Sequence, residues 1–267
     1  MADNRLSVII SSCDSFSDLW DGHIKQLERF WGDRQVDQTI LLTDKPTDKT
    51  YDNITVLAAG EDLEWSERLK AALDTVRTEY VFITLDDYFL IKKVENRRID
   101  EMIDVLEEYK LDYIRLFKHP KRATREKISG HKGIHRVDNT LYYCVNMYAG
   151  IWRRDFARYC ADCKLTAWEF EVALPEMAQR YNAALAVDKK RDFVILDVVR
   201  KGKLLHSSAR YFRKHPDLYN GDRKVNALRY EQRLVIQTVV ARNTPWWLHK
   251  RIKQVLRKFG FEFFTED

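Results

Sequence analysis

The sequence predicts an α/β fold, Rossmann-like, with a mostly parallel central sheet flanked by helices. Two observations predict it. Short β-branched runs alternate with amphipathic helical stretches through the first half of the chain. In addition, Leu6–Ser11 and Tyr80–Leu85 are near-continuous apolar runs of the kind that a parallel sheet buries on both faces.

The elements follow in order. Leu6–Ser11 leads through the polar turn Ser12-Cys13-Asp14-Ser15 into a helix over residues 17–30, with Leu19, Trp20, Ile24, Leu27, Phe30 and Trp31 as its apolar stripe. Residues 38–43 make a second strand ending at Asp44, and residues 54–57 a short third. A helix over 66–76 turns Leu69, Leu73 and Val76 inward and carries Arg68 elsewhere on its surface. Tyr80–Leu85 is the central strand and stops abruptly at Asp86-Asp87. A helix over 98–109 and a strand over 113–117 come next. Residues 118–136 are basic, hold Gly130 and Gly133 and lack an apolar period, so they read as a surface loop. Strands return over 140–145 and 147–152, then helices near 155–163 and 170–181, then a late strand over 193–199 and a turn at 200–203. The remainder is helical and basic, which divides the chain into a catalytic domain, 1–205, and a C-terminal extension, 206–267.

Composition removes several classes. With 267 residues, 45% hydrophobic and 33% charged, 9 Gly and 5 Pro, the chain is an ordered globular protein with room for one sizeable core. No apolar run is long enough to cross a bilayer and residues 1–5 are polar, so the expectation is a cytoplasmic protein. The 4 cysteines, with Cys160-x-x-Cys163 the one close pair, suit buried thiols in a reducing compartment rather than zinc or a redox motif. The net charge of +5 is concentrated beyond Arg200 and points to an anionic partner there, although no nucleic-acid-binding motif is present and none is expected to bind.

The chemistry centres on Thr84-Leu85-Asp86-Asp87-Tyr88-Phe89-Leu90. Two neighbouring carboxylates after an apolar strand repel each other and lose solvation, so a cation should sit beside them. In open α/β sheets, ligands bind outside the carboxyl ends of the strands, and Mg²⁺ or Mn²⁺ bridging to a diphosphate would satisfy both acids. A plain turn or helix cap built from two acids is the competing explanation.

The order of strand, Trp65-Ser66-Glu67-Arg68 helix, apolar strand and LDDYFL resembles bacterial GT-A glycosyltransferases of surface-polysaccharide biosynthesis, of the capsule and O-antigen type. The resemblance covers about residues 6–89 and differs from the usual motif in that the two acids are adjacent. It implies a GT-A fold in which Asp86 and Asp87 bind the metal and the sugar nucleotide. It also implies that Ser11, Ser12, Asp14 and Asp44 line the nucleoside pocket, with a UDP-sugar as the favoured donor, and that a late histidine, here His206, is a further metal ligand. Arg68 suits a diphosphate, or a pairing with Asp86 or Asp87, because guanidinium offers bidentate contacts.

Thr166-Ala167-Trp168-Glu169-Phe170-Glu171 opens a helix with two acids among aromatics. Inverting transfer needs a carboxylate to take the acceptor's proton, and an apolar surround raises a carboxylate's pKa, so Glu171 and then Glu169 are the candidate bases. Trp168 and Phe170 would supply that surround and a stacking face for a sugar. An acid-rich helix start that complements the macrodipole is the alternative. His131 and His135 are rejected as a metal pair because glycines interrupt the helix their spacing needs; their basic loop could instead close over phosphates.

Residues 245–264 combine Trp246, Trp247, Leu248, Ile252 and Val255 with Lys250, Arg251, Lys253, Arg257 and Lys258, a pattern fitting an interfacial helix on anionic lipid at the inner face of the plasma membrane. A terminal helix docked on the core is the alternative. The expected activity is metal-dependent, inverting, hexosyltransferase-type transfer to a saccharide acceptor, lipid-linked if the helix is interfacial. Two other classes stay in view: a sugar-nucleotide nucleotidyltransferase, disfavoured because Ser11 to Asp18 holds no glycine for a phosphate loop, and a non-enzymatic basic nucleic-acid or membrane-surface binder.

Overall fold

In the computed structural model, which describes residues 5–116, 124–141, 143–190 and 192–243 with Leu248, Arg251 and Gln254, the first strand is β1 (Leu6–Ser11), every residue of it buried. It is followed by α1 (Ser17–Trp31), β2 (Thr39–Thr43), β3 (Thr55–Ala58), α2 (Trp65–Thr75) and β4 (Tyr80–Leu85), close to the expected bounds. Then come β5 (Tyr88–Leu90), α3 (Asn96–Glu108), β6 (Tyr113–Arg115), β7 (Thr124–Lys127), β8 (Ile134–Val137), β9 (Gly150–Arg153), α4 (Arg154–Ala161) and α5 (Ala167–Tyr181). The described chain continues through β10 (Leu185–Asp188), β11 (Ile195–Asp197), β12 (Val199–Arg200), β13 (Lys203–Leu204), α6 (His206–Lys214) and α7 (Leu228–Asn243).

Nine strands form one sheet in the order β3-β2-β1-β4-β9-β6-β10-β8-β7. The pairings β3–β2, β2–β1, β1–β4 and β6–β10 are parallel, and β9 and β8 alone run against the rest. The mostly parallel sheet is therefore as expected. Strand alternation sends Leu6, Val8, Ile10, Tyr80 and Phe82 to the face covered by α1 and α3. Ile9, Val81 and Ile83 go to the opposite face, covered by α2, α4 and α5. Each large apolar side chain buried this way contributes roughly 1.5–3 kcal/mol, which is why β1 and β4, apolar on both faces, occupy the middle.

Three expectations need correction. Residues 124–137 are not a loop: β7 and β8 add the last two strands, because Ile128 and Ile134 bury themselves in the core while Glu126, Lys127 and Lys132 stay exposed. Residues 140–145 are not a strand, and only the end of the expected 147–152 segment pairs, as β9, where Gly150 lets Tyr113 approach closely. The strand β10 was not anticipated; four residues directly after a helix offer too short a pattern to read.

The anticipated boundary at residue 205 crosses a packed cluster. Leu19 of α1 and Phe89 of β5 meet Val198, Val199, Leu204, Phe212 and Leu218, so α6 and the turn Pro216–Leu218 belong to the wall beside β5. Among the described residues no helix is long and apolar enough to cross a membrane. The candidate interfacial helix over 245–264 lies outside the described residues, apart from Leu248, Arg251 and Gln254.

Candidate active site

Because β1, β2, β4, β6 and β10 point the same way, their carboxyl ends meet at one edge of the sheet and bring Ser11-Ser12, Asp44 and Asp86-Asp87 together there. Asp86 is nearly out of solvent, at 5% exposure. The Ser12 hydroxyl donates to Asp86 Oδ2, and Trp20 Nε1 donates to Ser12 Oγ at 2.6 Å. From the same helix, His23 Nδ1 stands 3.0 Å from the backbone oxygen of Asp86. Burial pushes Asp86 up to about 7, against the Ser12 hydroxyl and the Asp87 backbone N–H, and pushes His23 down to about 4.

Asp87 begins a second group. β5 pairs antiparallel with β11, which sets Asp197 opposite Tyr88. Arg200, just beyond, donates from Nε and Nη2 to Asp197 Oδ2 at 2.8 and 2.6 Å. Burial, then the charges of Asp86 and Asp197, raise Asp87 well above the ordinary carboxylate range, with Arg200 pulling the other way. Glu171, in the first turns of α5, reaches the same place. Burial pushes its carboxyl up, and the Met147 backbone N–H and Arg200 oppose that shift.

The third group lies on the β2 side. The backbone N–H of Asp14 donates to Asp44 Oδ1 at 2.6 Å, and the Thr43 hydroxyl to the same oxygen at 3.2 Å. Burial raises Asp44, but these donors and Arg68 outweigh it and hold the carboxyl below its usual range. Arg68 Nη1 is 3.9 Å from Asp44 Oδ2, so the arginine faces Asp44 rather than either member of the aspartate pair. The Cys13 thiol feels Asp86, Asp44 and Arg68 together and therefore stands between this group and the first.

Ser11 Oγ, Thr84 Oγ1, Arg68 Nε, Asp87 Oδ1 and Asp197 Oδ1 are among the polar atoms at this edge that are buried without a hydrogen-bond partner among the described residues. Buried polar groups are ordinarily satisfied, so each of these atoms is open to a ligand or a water. Two carboxylates with an orphaned oxygen fit a hard divalent cation, which takes oxygen ligands.

Several candidates fall elsewhere. Glu169 is exposed and makes the capping box of α5: the Thr166 hydroxyl accepts from the Glu169 N–H at 3.3 Å, and Glu169 Oε2 accepts from the Thr166 N–H at 3.0 Å. The Thr166 N–H and, at 2.8 Å, the Thr166 hydroxyl donate to Glu169 Oε2 and hold its carboxyl below the ordinary value, the reverse of what a base needs. Of the two aromatics expected around these acids, Phe170 faces the core, against Trp65 at 5.0 Å, and Trp168 faces solvent, 54% exposed. His206 opens α6 with an exposed side chain, and its backbone N–H is given to Glu231. Among the described residues no three of His, Cys, Asp and Glu stand together as a metal site, so His206 does not join the aspartates here.

Trp20, His23, Tyr88, Asp197 and Arg200 were not singled out from the sequence. Trp20 and His23 are three residues apart on α1, a spacing that puts both on one helix face, and that was the available signal. Arg200 and Asp197 meet Asp87 only through the β5–β11 pairing, which no local pattern announces.

No protein-family model matches the chain, and no curated protein matches it. Similar solved structures include a mannosyltransferase from Pyrobaculum calidifontis in complex with GDP-Man and Mn²⁺, 12% identical with a TM-score of 0.48, covering 82% of this chain and 66% of that one. A UDP-glucose pyrophosphorylase complexed with UDP-glucose is 7% identical with a TM-score of 0.49, covering 72% and 92%. The 1–349 portion of S. aureus TarS is 13% identical with a TM-score of 0.44, covering 71% of this chain, which spans 59% of that portion. Such distant likenesses, shared between sugar transfer and sugar-nucleotide synthesis, assign no activity to this chain.

Proposed function

We propose that the chain is a metal-dependent glycosyltransferase that moves a sugar, with inversion, from a nucleoside-diphosphate donor to a saccharide acceptor. The observation that carries this reading is the pair at the end of β4, Asp86 buried and Asp87 half-buried with an orphaned carboxylate oxygen, with Glu171 and Arg200 nearby. Nucleotidyl transfer calls for no general base in Glu171's position and ordinarily uses a glycine-rich loop, which Ser11-Ser12-Cys13-Asp14 does not provide.

In this reading Asp14, Asp44 and Arg68 hold the nucleoside, and Asp86 and Asp87 hold the divalent cation, Mn²⁺ or Mg²⁺. When bound, that cation supplies positive charge to the donor's diphosphate. Ser12, Trp20 and His23 fix Asp86 in place beforehand. Glu171, its affinity for a proton raised by burial, accepts the proton of the acceptor hydroxyl as that oxygen bonds to C1 of the sugar. The bond between C1 and the phosphate oxygen breaks, its electron pair leaves with the nucleoside diphosphate, and Arg200 offers a cation beside Asp87 to that charge.

The wider setting belongs to the same proposal: surface-polysaccharide assembly, a lipid-linked acceptor and attachment to the inner face of the plasma membrane through residues 245–264. A panel of nucleotide sugars incubated with the full chain and Mn²⁺ tests the reaction. Release of a nucleoside diphosphate from one donor supports it. Pyrophosphate release from a nucleoside triphosphate and a sugar 1-phosphate, with no hydrolysis or transfer from any sugar nucleotide, overturns it in favour of nucleotidyl transfer.

A further inference from the structure

Arg115 ends β6 at the same edge of the sheet as Asp87 and is fully buried, at 0% exposure. Its Nη1 donates to the backbone oxygen of Tyr143 at 2.6 Å. Its Nε and Nη2 are also buried and meet no acceptor among the described residues. Among the described residues no carboxylate pairs with it, and the ionisable groups that bear on it are the Tyr113 phenol and the Cys144 thiol. A guanidinium shut away from water with two unused N–H groups presents the fork that matches a carboxylate or a phosphate.

Its place relative to the candidate active site is set by one loop. Tyr143 gives its carbonyl to Arg115, Asn146 gives its carbonyl to the Tyr113 hydroxyl at 3.3 Å, and Met147 gives its N–H to Glu171. Tyr148 then lies against Tyr88, the neighbour of Asp87, with ring centroids 5.2 Å apart. Residues 143–148 thus run from Arg115 past Glu171 to Tyr88, the neighbour of Asp87. Tyr143 holds φ at 55°, a conformation that aromatic residues rarely adopt and that persists where surrounding structure demands it.

We infer that Arg115 binds an oxyanion carried by the acceptor, a carboxylate or a phosphate on an acidic saccharide, at the start of the loop 143–148 that also meets Glu171. This rests on the glycosyl-transfer reading and deepens it by naming the acceptor class. Burial lowers the pKa of Arg115, as it must for a cation with no counter-charge, and an entering oxyanion would restore one.

Ligand-observed NMR on the full chain with UDP and Mg²⁺, at fixed ionic strength, tests it with D-glucuronate, D-glucose 6-phosphate and neutral D-glucose. Either acidic sugar binding at least about tenfold more tightly than glucose is expected, and Arg115→Gln should remove that preference while UDP still binds. The glucuronate arm identifies a carboxylate, the glucose 6-phosphate arm a phosphate. Equal binding of all three sugars to the wild type overturns the inference, whether or not the variant folds, as does a preference that survives in Arg115→Gln. If UDP binds but acidic sugars are not preferred, this inference alone falls; if UDP does not bind, the glycosyl-transfer reading falls as well.

Discussion

His23 Nδ1 lies 3.0 Å from the backbone oxygen of Asp86, so a fully enclosed histidine of α1 holds the peptide that carries the first of the two aspartates. A carbonyl only accepts, which makes Nδ1 the protonated nitrogen of a neutral ring. Burial keeps it neutral by lowering its pKa to about 4.

The sign of the resulting pH dependence is fixed. Between the unfolded value near 6.5 and about 4, the unfolded chain takes up a proton that the folded chain refuses. Stability from this group is whole above the upper value and is lost as pH falls toward the lower one, by up to about 3 kcal/mol. His23→Asn keeps a donor near the Nδ1 position and cannot titrate. Its denaturation midpoint should therefore fall less than the wild type's on acidification, and an unchanged slope would place the acid loss in other groups.

Asp86 works in the opposite direction. Its folded pKa is raised to about 7, so its contribution is present below the ordinary carboxylate range and is lost as pH rises through about 7. A cation that binds the ionised pair offsets that loss. The rise in melting temperature on adding millimolar MnCl₂ should grow from about pH 6 to about pH 8. A rise that shrinks over the same interval would contradict a site made of these carboxylates.

The two glutamates of α5 should separate cleanly. Glu171→Gln is expected to lower kcat by about 10²–10⁴ while leaving nucleotide binding intact, as loss of a general base does. Glu169→Ala should instead cost about 1 kcal/mol of stability through the lost cap, with the turnover of the folded protein unchanged. Steady-state kinetics beside a denaturation curve for each variant decides it.

Gly22 carries a test of the wall beside β5. A β-carbon there would collide with the carbonyl oxygen of Leu218, a backbone atom that cannot rotate aside. Gly22→Ala should destabilise the protein by about 1–3 kcal/mol. An unchanged melting temperature would mean that the turn at Pro216–Leu218 is not seated on α1.

What could be read in advance follows from how locally each feature is encoded. β1 and β4 were legible because a strand buried on both faces must be apolar throughout, and Asp86-Asp87 stood out against that run. β7 and β8 were not, since strands at the sheet margin bury few residues and keep the rest charged, which looks like loop. The capping role of Glu169 is written locally as Thr166-x-x-Glu169, a spacing that also suits a carboxylate at a helix start. The chain of contacts from Trp20 through Ser12 to Asp86, and the meeting of Arg200 with Asp87, join residues far apart in sequence. They follow from strand order, and no spacing within one segment encodes them.

The most direct test is calorimetric titration of UDP into the full chain in Mn²⁺, for the wild type and Asp87→Asn. The account predicts binding to the wild type that requires the metal and weakens by about a hundredfold or more in the variant. Equal affinity in both proteins, or UDP binding to the wild type that ignores Mn²⁺, would contradict it.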